Sequence, residues 1–484
     1  MMFDTAHELF RIDTFSMVMS ALVVFMTVAV SIYSPGYCEE RTTFRRAVFY
    51  GAPWLFCLFS CLGVVSGSWF MFTISVELSS LALFFIILLQ DPKAARLYIF
   101  SQLLGAGFLL TGTALLGALT GATAIGPVPG DILWLFLTGL GFKAAFPVLH
   151  FWLPQVHGKA PTPASALLSG FAVKIGVFGI ARLVSPDTGT VLPFLGSVMA
   201  IYGVGQALLQ HDAKRLLAYH TVSQLGYIVT ALGAGTSLGI AAGFFHTVAH
   251  ALFKGLLFLS VGTLEKVYGT KDLDHLGGAA RELPLTFSLF LVGALAISGF
   301  PGFSGYASKA MVKAALYEIP NPLWYWALQA AGVGTVISFC KVGYFAFIRE
   351  RDPGLRPHRE HMPGGRKDLM RNTGMALPAA ATLTLGIFPG FFAGLGGLES
   401  NSLFGMKDLL PAAATFALGI SLFWILRKWF GSGKHEIPDI DTLISKGSRL
   451  SAPVFSILQS MNCGLLRFYI VAVVAAGLAL MFLM

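Results

Sequence analysis

The stretch GFKAAFPVLHFWLPQVHGKAPTPASALLSGFAVKIG, which covers residues 141–176, places Lys143 and Lys174 inside otherwise apolar segments. Pro147 and Pro154 lie between the two lysines. A lysine in the middle of a membrane helix costs about 3 kcal/mol on insertion scales, and a proline removes a helical hydrogen bond. Membranes tolerate broken helices and buried charges where these line a cavity or face the protein interior. The stretch therefore predicts a broken membrane helix with functional lysines.

The composition of the whole chain is that of an integral membrane protein. Of its 484 residues, 55% are hydrophobic and only 12% are charged, and the mean hydropathy is +0.73. These values exclude a soluble globular domain. The net charge of +9 would indicate nucleic acid only if the basic residues formed a surface patch, and they instead lie in short loops. We expect a lipid bilayer as surroundings and no nucleic-acid partner.

The apolar stretches predict an all-α bundle of about 14 transmembrane helices, because a span needs about 20 mainly apolar residues. Their approximate cores are residues 15–33, 47–67, 69–89, 97–120, 131–153, 164–184, 190–209, 216–233, 237–262, 284–307, 323–347, 375–397, 409–426 and 466–484. The first stretch follows Glu8, Arg11 and Asp13, and we interpret it as a retained span and not a cleaved signal peptide.

The loop charges predict the orientation of the chain. Loops after odd-numbered spans carry most of the lysines and arginines, for example in residues 349–371, whereas even loops such as GATAIGPVPG (121–130) carry almost none. The positive-inside rule then places the odd loops in the cytoplasm. We expect a multi-pass protein of the inner membrane with both termini on the outer side.

Five lysines and one glutamate lie well inside the predicted spans or, for Lys309, directly after one. They are Glu77, Lys143, Lys174, Lys254, Lys309 and Lys341. Burial favours loss of a lysine's proton, and a neighbouring carboxylate reverses this preference. A lysine that gains or loses an anionic partner is therefore a switchable proton site. Lys341 lies nearer the cytoplasmic basic run and has an alternative interpretation, in which its amine reaches the interface.

The ninth span, GFFHTVAHALFKGLLFL, places His246, His250 and Lys254 at i, i+4 and i+8 on one helix stripe. Histidine titrates near neutral pH and can relay protons. Packing is an alternative. A metal site is the weakest interpretation, because a third ligand is missing and Thr247 stands where catalytic zinc sites have glutamate. The chain has five cysteines but no CxxC or nucleotide-binding pattern, so we expect no cofactor.

Two breaks recur along the chain, each close to a buried lysine. Pro147 and Pro154 interrupt the fifth span, and Gly299 and Pro301 interrupt the tenth in ISGFPGFSGYASK. Paired interrupted helices are typical of transporters built from inverted repeats. The spacing predicts two five-span repeats of opposite orientation.

The repeats define the predicted organisation of the chain. The first would cover residues 47–184 and the second 190–348. A single span and loop (1–46) would precede them, and a basic loop with further spans (349–484) would follow.

Four stretches carry a resemblance to a known family. They are the stretch 141–176 with its continuation VFGIAR, then HDAKRLLAYHTVSQLGYI, FFHTVAHALFKGLLFLSVG and ISGFPGFSGYASKAMV. The chain resembles, over roughly residues 69–348, the proton-translocating antiporter-like subunits of respiratory complex I, of Mrp-type sodium/proton antiporters and of membrane-bound hydrogenases.

The resemblance implies roles for individual residues. Glu77 would pair with Lys143, and Lys174 would be the central lysine on the next helix. His246 and His250 would form the connecting axis, and Lys309 matches a position where some members have glutamate.

The second stretch of the resemblance implies a different role. It matches a boundary motif that we interpret as structural, made of Asp212, Lys214, Arg215, Tyr219 and Ser223. His220 stands where the family has a small polar residue, and it would extend the relay or hydrogen-bond within the bundle.

The resemblance is incomplete at both ends. The glutamate lies on the third span here and on the fifth in familiar members, about two extra spans follow the core, and the long lateral helix of the largest complex I subunit is not evident.

We therefore predict a non-redox, proton- or sodium-translocating subunit of a translocase complex of the quinone oxidoreductase or hydrogenase type. Its partners would be other membrane subunits, including sister antiporter-like subunits, and a soluble redox or uptake module. The alternatives are a subunit of a secondary cation/proton antiporter or of an energy-coupled inorganic-carbon uptake system, and, from another class, a structural scaffold with a degenerate path.

Overall fold

A computed structural model describes residues 9–38, 42–185, 188–189, 191–319, 321–352, 354–358 and 361–431. These residues are mainly helical, and their only β pairing consists of isolated bridges. Within them, nine helices are long and apolar enough to cross a membrane. The predicted span 466–484 lies outside the described residues, as do both ends of the chain.

The first part of the chain forms helices up to and beyond the first break. They are α1 (Thr14–Tyr37), α2 (Thr43–Val64), α3 (Trp69–Leu88), α4 (Pro92–Thr120), α5 (Gly130–Lys143), α6 (Trp152–Lys159) and α7 (Thr162–Leu183). A 3₁₀ turn at Leu149–Phe151 precedes α6, and α7 contains a π turn at Leu168–Ala172.

The second part contains the other break and the longest helix. Its helices are α8 (Val191–Leu209), α9 (Ala213–Leu232), α10 (Ser237–Tyr268), α11 (Pro284–Ser298), α12 (Ser304–Leu316), α13 (Leu323–Ile348), α14 (Gly365–Ile387) and α15 (Met406–Phe430). Short helices at Ala279–Glu282, Gly390–Leu395 and Ser400–Phe404 connect them.

Local signals in the sequence account for the helix ends. The Asp91 carboxylate accepts the backbone N–H groups at the start of α4, where Pro92 needs no hydrogen-bond partner. Asp212 caps α9 in the same way. Gly121 and Gly269 end α4 and α10 in the left-handed conformation that glycine adopts without steric cost.

Helix α10 is the centre of the bundle. Its most apolar stretch is entirely buried, and α1, α7, α9, α11, α12 and α14 pack around it. The helices α4 and α15 lie at the periphery and leave most of their surface outside the protein core. Charged or polar residues on α10 are therefore held far from bulk water.

The first break differs from the one that its prolines predict. Helix α5 ends at Lys143, and Ala145 and Val148, on either side of Pro147, then adopt positive φ angles of 55° and 69°. Placing Pro154 in this break was wrong. It is the third residue of α6, in the first turn, where backbone N–H groups lack intrahelical partners and proline is tolerated.

The second break lies between α11 and α12 and contains Gly299 and Pro301. Gly299 and Gly302 adopt positive φ angles of 83° and 90°, which favour glycine because an added Cβ would clash with the backbone. The helix is thus interrupted between one and two turns before Lys309.

All predicted spans up to 409–426 overlap a helix or a broken pair of helices. The span predicted at 375–397 is shifted, because the observed α14 begins at Gly365 and ends at Ile387. Charged residues such as Asp368 and Arg371 occupy its first turns, so hydropathy alone placed its start too late.

Candidate functional site

The predicted carboxylate–lysine pair is formed between α3 and the end of α5. The Lys143 ammonium contacts the Glu77 carboxylate and lies 3.4 Å from the Gln102 side-chain oxygen. The Lys143 side chain is 2% exposed and that of Glu77 is 15% exposed. Removing one partner of such a buried pair would leave the other charge unpaired, at a large cost in free energy. The charge on Lys143 therefore depends on its contact with Glu77.

Lys174 lies on α7, fully buried, directly after the π turn. Its ammonium donates to the backbone carbonyl of Ser169, which the π turn places within reach. Among the described residues no carboxylate contacts Lys174. A π turn inside a helix is frequent at functional sites, because it frees and redirects backbone groups.

Polar side chains of α9 continue from Lys174 towards α10. The Ser169 hydroxyl lies 2.8 Å from that of Thr221, one turn before Gln224. The Gln224 side-chain oxygen lies 3.2 Å from Nε2 of His246. All of these groups are buried. Helix α9 thus connects the lysine of α7 with the histidines of α10, although its motif was interpreted as structural.

The histidines of α10 form the centre of the row. Nδ1 of His246 lies 2.9 Å from the Ser308 hydroxyl, and Ser308 directly precedes Lys309 on α12. The His246 and His250 rings are nearly parallel, with centroids 6.2 Å apart. Neither ring nitrogen of His250 makes a hydrogen bond to the described residues.

Lys309 ends the row. Its ammonium donates to the carbonyl of Ile297 at 2.6 Å, at the end of α11, and lies 4.9 Å from the centre of the Tyr227 ring. A cavity of about 30 Å³ begins at this lysine, and Lys313 and Asp408 line it further out. We call it the Lys309 cavity.

Lys254 and His220 lie beside the row. The Lys254 ammonium donates to the carbonyl of Leu217 on α9 and lies above the Phe258 ring. His220 is buried against Phe339, and its ring nitrogens make no hydrogen bond to the described residues. The hydrogen bond within the bundle, one of the two roles expected for His220, is therefore not formed to the described residues.

Lys341 lies inside the protein, at the end of α8. It is 1% exposed, and its ammonium donates to the carbonyls of Leu208 and Gln210 at 2.9 and 2.8 Å. These carbonyls lie at the end of α8, where a cation complements the helix dipole. The geometry adds helix capping to the two interpretations of Lys341 made from the sequence.

Sequence reasoning missed several groups of the site. His157 on α6 is fully buried and stacks on Phe258 with ring centroids 4.6 Å apart. The boundary motif contributes a second buried ion pair, Lys214 with Glu265 at 2.5 Å. His157, within WLPQVHGK, could have been found as a histidine next to the first break.

At the opposite end of α7, Arg182 holds the start of α1. Its guanidinium makes two hydrogen bonds of 2.6 and 2.8 Å to the Asp13 carboxylate. Burial raises the pKa of Asp13, but the bonds from Arg182 and from the Ser16 backbone outweigh it and lower the pKa to about 2. This ion pair anchors α1 against the helix that carries Lys174.

Residues 66–338, more than half of the chain, match the family model described as NADH:quinone oxidoreductase/Mrp antiporter, TM. Over 380 residues the chain is 31% identical to hydrogenase-4 component B of Escherichia coli K12, an alignment that covers 72% of this chain and 56% of that protein. The chain thus spans about half the length of this curated relative.

Two solved structures share the fold. A chain of the Mrp complex from Dietzia sp. DQ12-45-1b superposes with a TM-score of 0.71 at 24% identity, covering 84% of this chain and 86% of that one. A chain of respiratory complex I from Thermus thermophilus, solved with bound aureothin, superposes with a TM-score of 0.68 at 27% identity, covering 80% and 87%.

Proposed function

Because this chain belongs to the NADH:quinone oxidoreductase/Mrp antiporter family of membrane subunits, we propose that it moves protons across the inner membrane within a larger complex. Glu77 and Lys143 receive the driving signal, Lys174 and the histidines of α10 pass the proton on, and Lys309 delivers it. The observation that carries this proposal is the row of buried polar groups between Lys174 and Lys309.

Two groups of hydrogen bonds support the row as a path. Lys174 donates to the Ser169 backbone carbonyl and the Ser169 hydroxyl contacts that of Thr221, and Gln224 contacts His246, which contacts Ser308. Thr221 and Gln224 are one turn apart on α9. Hydroxyl, imidazole and amine groups each accept and release protons, so the row can act as a relay with water bridging the remaining steps.

The chemistry of the row favours protons over sodium. Sodium, a hard cation, prefers oxygen ligands, especially carboxylates and carbonyls. Among the described residues, the row from Lys174 to Lys309 holds amines, an imidazole and neutral hydroxyl and amide groups but no carboxylate, and a protonated lysine repels a metal cation. Of the two ions that the sequence left open, the proton is therefore the better match.

The orientation and the repeats are further parts of the proposal. We place the loops after odd-numbered spans in the cytoplasm and both termini outside, with about 14 spans in all. The two breaks, each next to a lysine, support two inverted repeats at 47–184 and 190–348, with 1–46 and 349–484 flanking them. Arg356→Cys in a background without native cysteines should react only from the cytoplasmic side.

The energy for transport would come from partner proteins. The relatives named above belong to multi-subunit membrane assemblies, which supports sister membrane subunits and a soluble redox or uptake module as partners. A change in the neighbouring subunit would alter the Glu77–Lys143 pairing, and the altered charge would drive the proton from Lys174 onward.

The test is purification through a tag on this chain from its native membrane. We expect further membrane subunits to copurify, and proteoliposomes holding the complex to move protons when a potassium/valinomycin potential is imposed. The single purified chain should move none. Proton movement by the chain alone would contradict the subunit role. Absence of proton movement by the intact complex, with sodium or potassium exchange in its place, would favour the secondary antiporter.

A further inference from the structure

We propose that Lys313 and Asp408 form the outer gate of the proton path, where the proton leaves Lys309 and reaches the outside. This inference rests on the proposed function. It adds two residues that the sequence did not single out and that lie beyond the row described above.

The Lys309 cavity provides the connection. Lys309, Lys313 and Asp408 all line it, together with Tyr317 and Lys407. Its volume of about 30 Å³ is enough for about two water molecules, because one needs roughly 10–15 Å³. Tyr317 at its rim is 71% exposed, so the cavity extends from the buried lysine to the protein surface.

The side on which the cavity ends is the outer one. Tyr317 follows α12, in the loop after the tenth span, and Asp408 lies in the first turn of α15 after the twelfth. Both loops are even-numbered, and the loop charges assign these to the outside.

Lys309 and Lys313 lie one helical turn apart on α12, on the same stripe. Two ammonium groups at i and i+4 destabilise each other. A proton held on Lys309 therefore favours a neutral amine at Lys313, which is the form that accepts a proton. Among the described residues, Lys313 makes no hydrogen bond or ion pair that would hold it in one state.

Asp408 completes the gate from another helix. The charges acting on it include those of Lys407 and Lys313. Through water, the proton leaves Nζ of Lys309 and binds Nζ of Lys313. The carboxylate stabilises the resulting Lys313 ammonium, which then releases its proton to water outside. The alternative role of Asp408 is to complement the dipole of α15, and that role would not require Lys313.

The first experiment measures proton movement by the whole complex in proteoliposomes under an imposed potential. A positioned proton-transfer group contributes about 10²–10⁴-fold, so Lys313→Met should lower the rate by about tenfold or more. Lys313→Arg should fail as well, because guanidinium keeps its proton. Asp408→Asn should also slow transport, whereas Asp408→Glu should retain most of it.

The matched control is Asp131→Asn. Asp131 is also a carboxylate in the first turn of a helix, α5, but it is exposed and does not line the cavity. It should leave the rate unchanged. Assembly is checked on native gels, and Lys313→Gln replaces Lys313→Met if that variant does not assemble.

The outcomes separate this inference from the proposed function. Wild-type rates in Lys313→Met and Asp408→Asn, alongside an inactive Lys174→Ala complex, would overturn the gate alone. A wild-type rate in Lys313→Arg with a slow Lys313→Met would assign Lys313 a charge role only and also overturn it. In addition, Lys313→Cys should react with an impermeant thiol reagent from the outer side, and reaction from the cytoplasmic side would contradict the gate.

Discussion

Glu77→Gln should uncouple the first lysine of the path while leaving its packing intact. Glutamine has nearly the shape of glutamate and keeps an oxygen that can accept from Lys143, but it carries no charge. Removing one partner of a buried ion pair costs about 3–5 kcal/mol when the other stays charged. Lys143 is 2% exposed but Glu77 is 15% exposed, so the pair is not fully buried and we take the lower cost of about 3 kcal/mol.

A loss of about 3 kcal/mol corresponds to about 100-fold in an equilibrium constant, at 1.36 kcal/mol per factor of ten. Without the carboxylate, Lys143 has no anionic partner to gain or lose, so proton movement should fall by about tenfold or more. The assay is proton uptake into proteoliposomes with assembly checked on native gels. Glu318→Gln, at an exposed glutamate, is the control. An assembled Glu77→Gln complex with wild-type rates would refute the pairing as the coupling step.

Two further variants test the frame around the path. Gly176→Ala places a Cβ 2.7 Å from the Ala144 backbone nitrogen and 2.9 Å from the Lys143 Cβ, so it should lower the free energy of unfolding by about 1–3 kcal/mol. The control Gly107→Ala, whose Cβ would have nothing within 4 Å, should not lower it. Equal melting temperatures of the two variants would contradict the close approach at Gly176. The Asp13–Arg182 pair should stabilise the protein fully above the ordinary Asp pKa of 3.8 and lose that effect as pH falls towards about 2. Melting of Asp13→Asn in detergent should therefore be lowered at pH 7 but match the wild type near pH 2, and an unchanged melting temperature at pH 7 would contradict this.

Hydropathy and the free-energy cost of a charge in the membrane were enough to predict the helices and two of the site residues. Long apolar stretches predicted the helices, and the expense of charges in a membrane singled out Glu77 and Lys143, which the structure brings into contact. The break at Gly299–Gly302 could also be predicted from the sequence, because its positive φ angles favour glycine.

Contacts between distant helices were not predictable in this way. Thr221 and Gln224 are common residue types in a helix, and only the packing of α9 between α7 and α10 makes them part of the row. Lys313 lies near the end of α12, where lysines commonly reach the surface. Asp408 lies on α15, far from Lys313 in the sequence. Their shared cavity is a property of the folded chain.

The shift in α14 has a different cause. Hydropathy marks where a helix enters the membrane, and not where it begins. The first residues of α14, including Arg366 and Lys367, are exposed. Arg371 is 2% exposed and donates to the His361 carbonyl at 2.8 Å, so the charged start of α14 is held to the protein at this residue.

Proton movement by a complex assembled with Lys174→Ala tests the central claim most directly. Alanine removes the titratable group but favours the helix, so assembly should survive. The account predicts that movement falls by about 10²-fold or more, the contribution of a positioned proton-transfer group. Lys174→Arg should be nearly as slow, because guanidinium does not release its proton. A wild-type rate in the assembled Lys174→Ala complex would remove this lysine from the path and leave the structural scaffold as the better description of the chain.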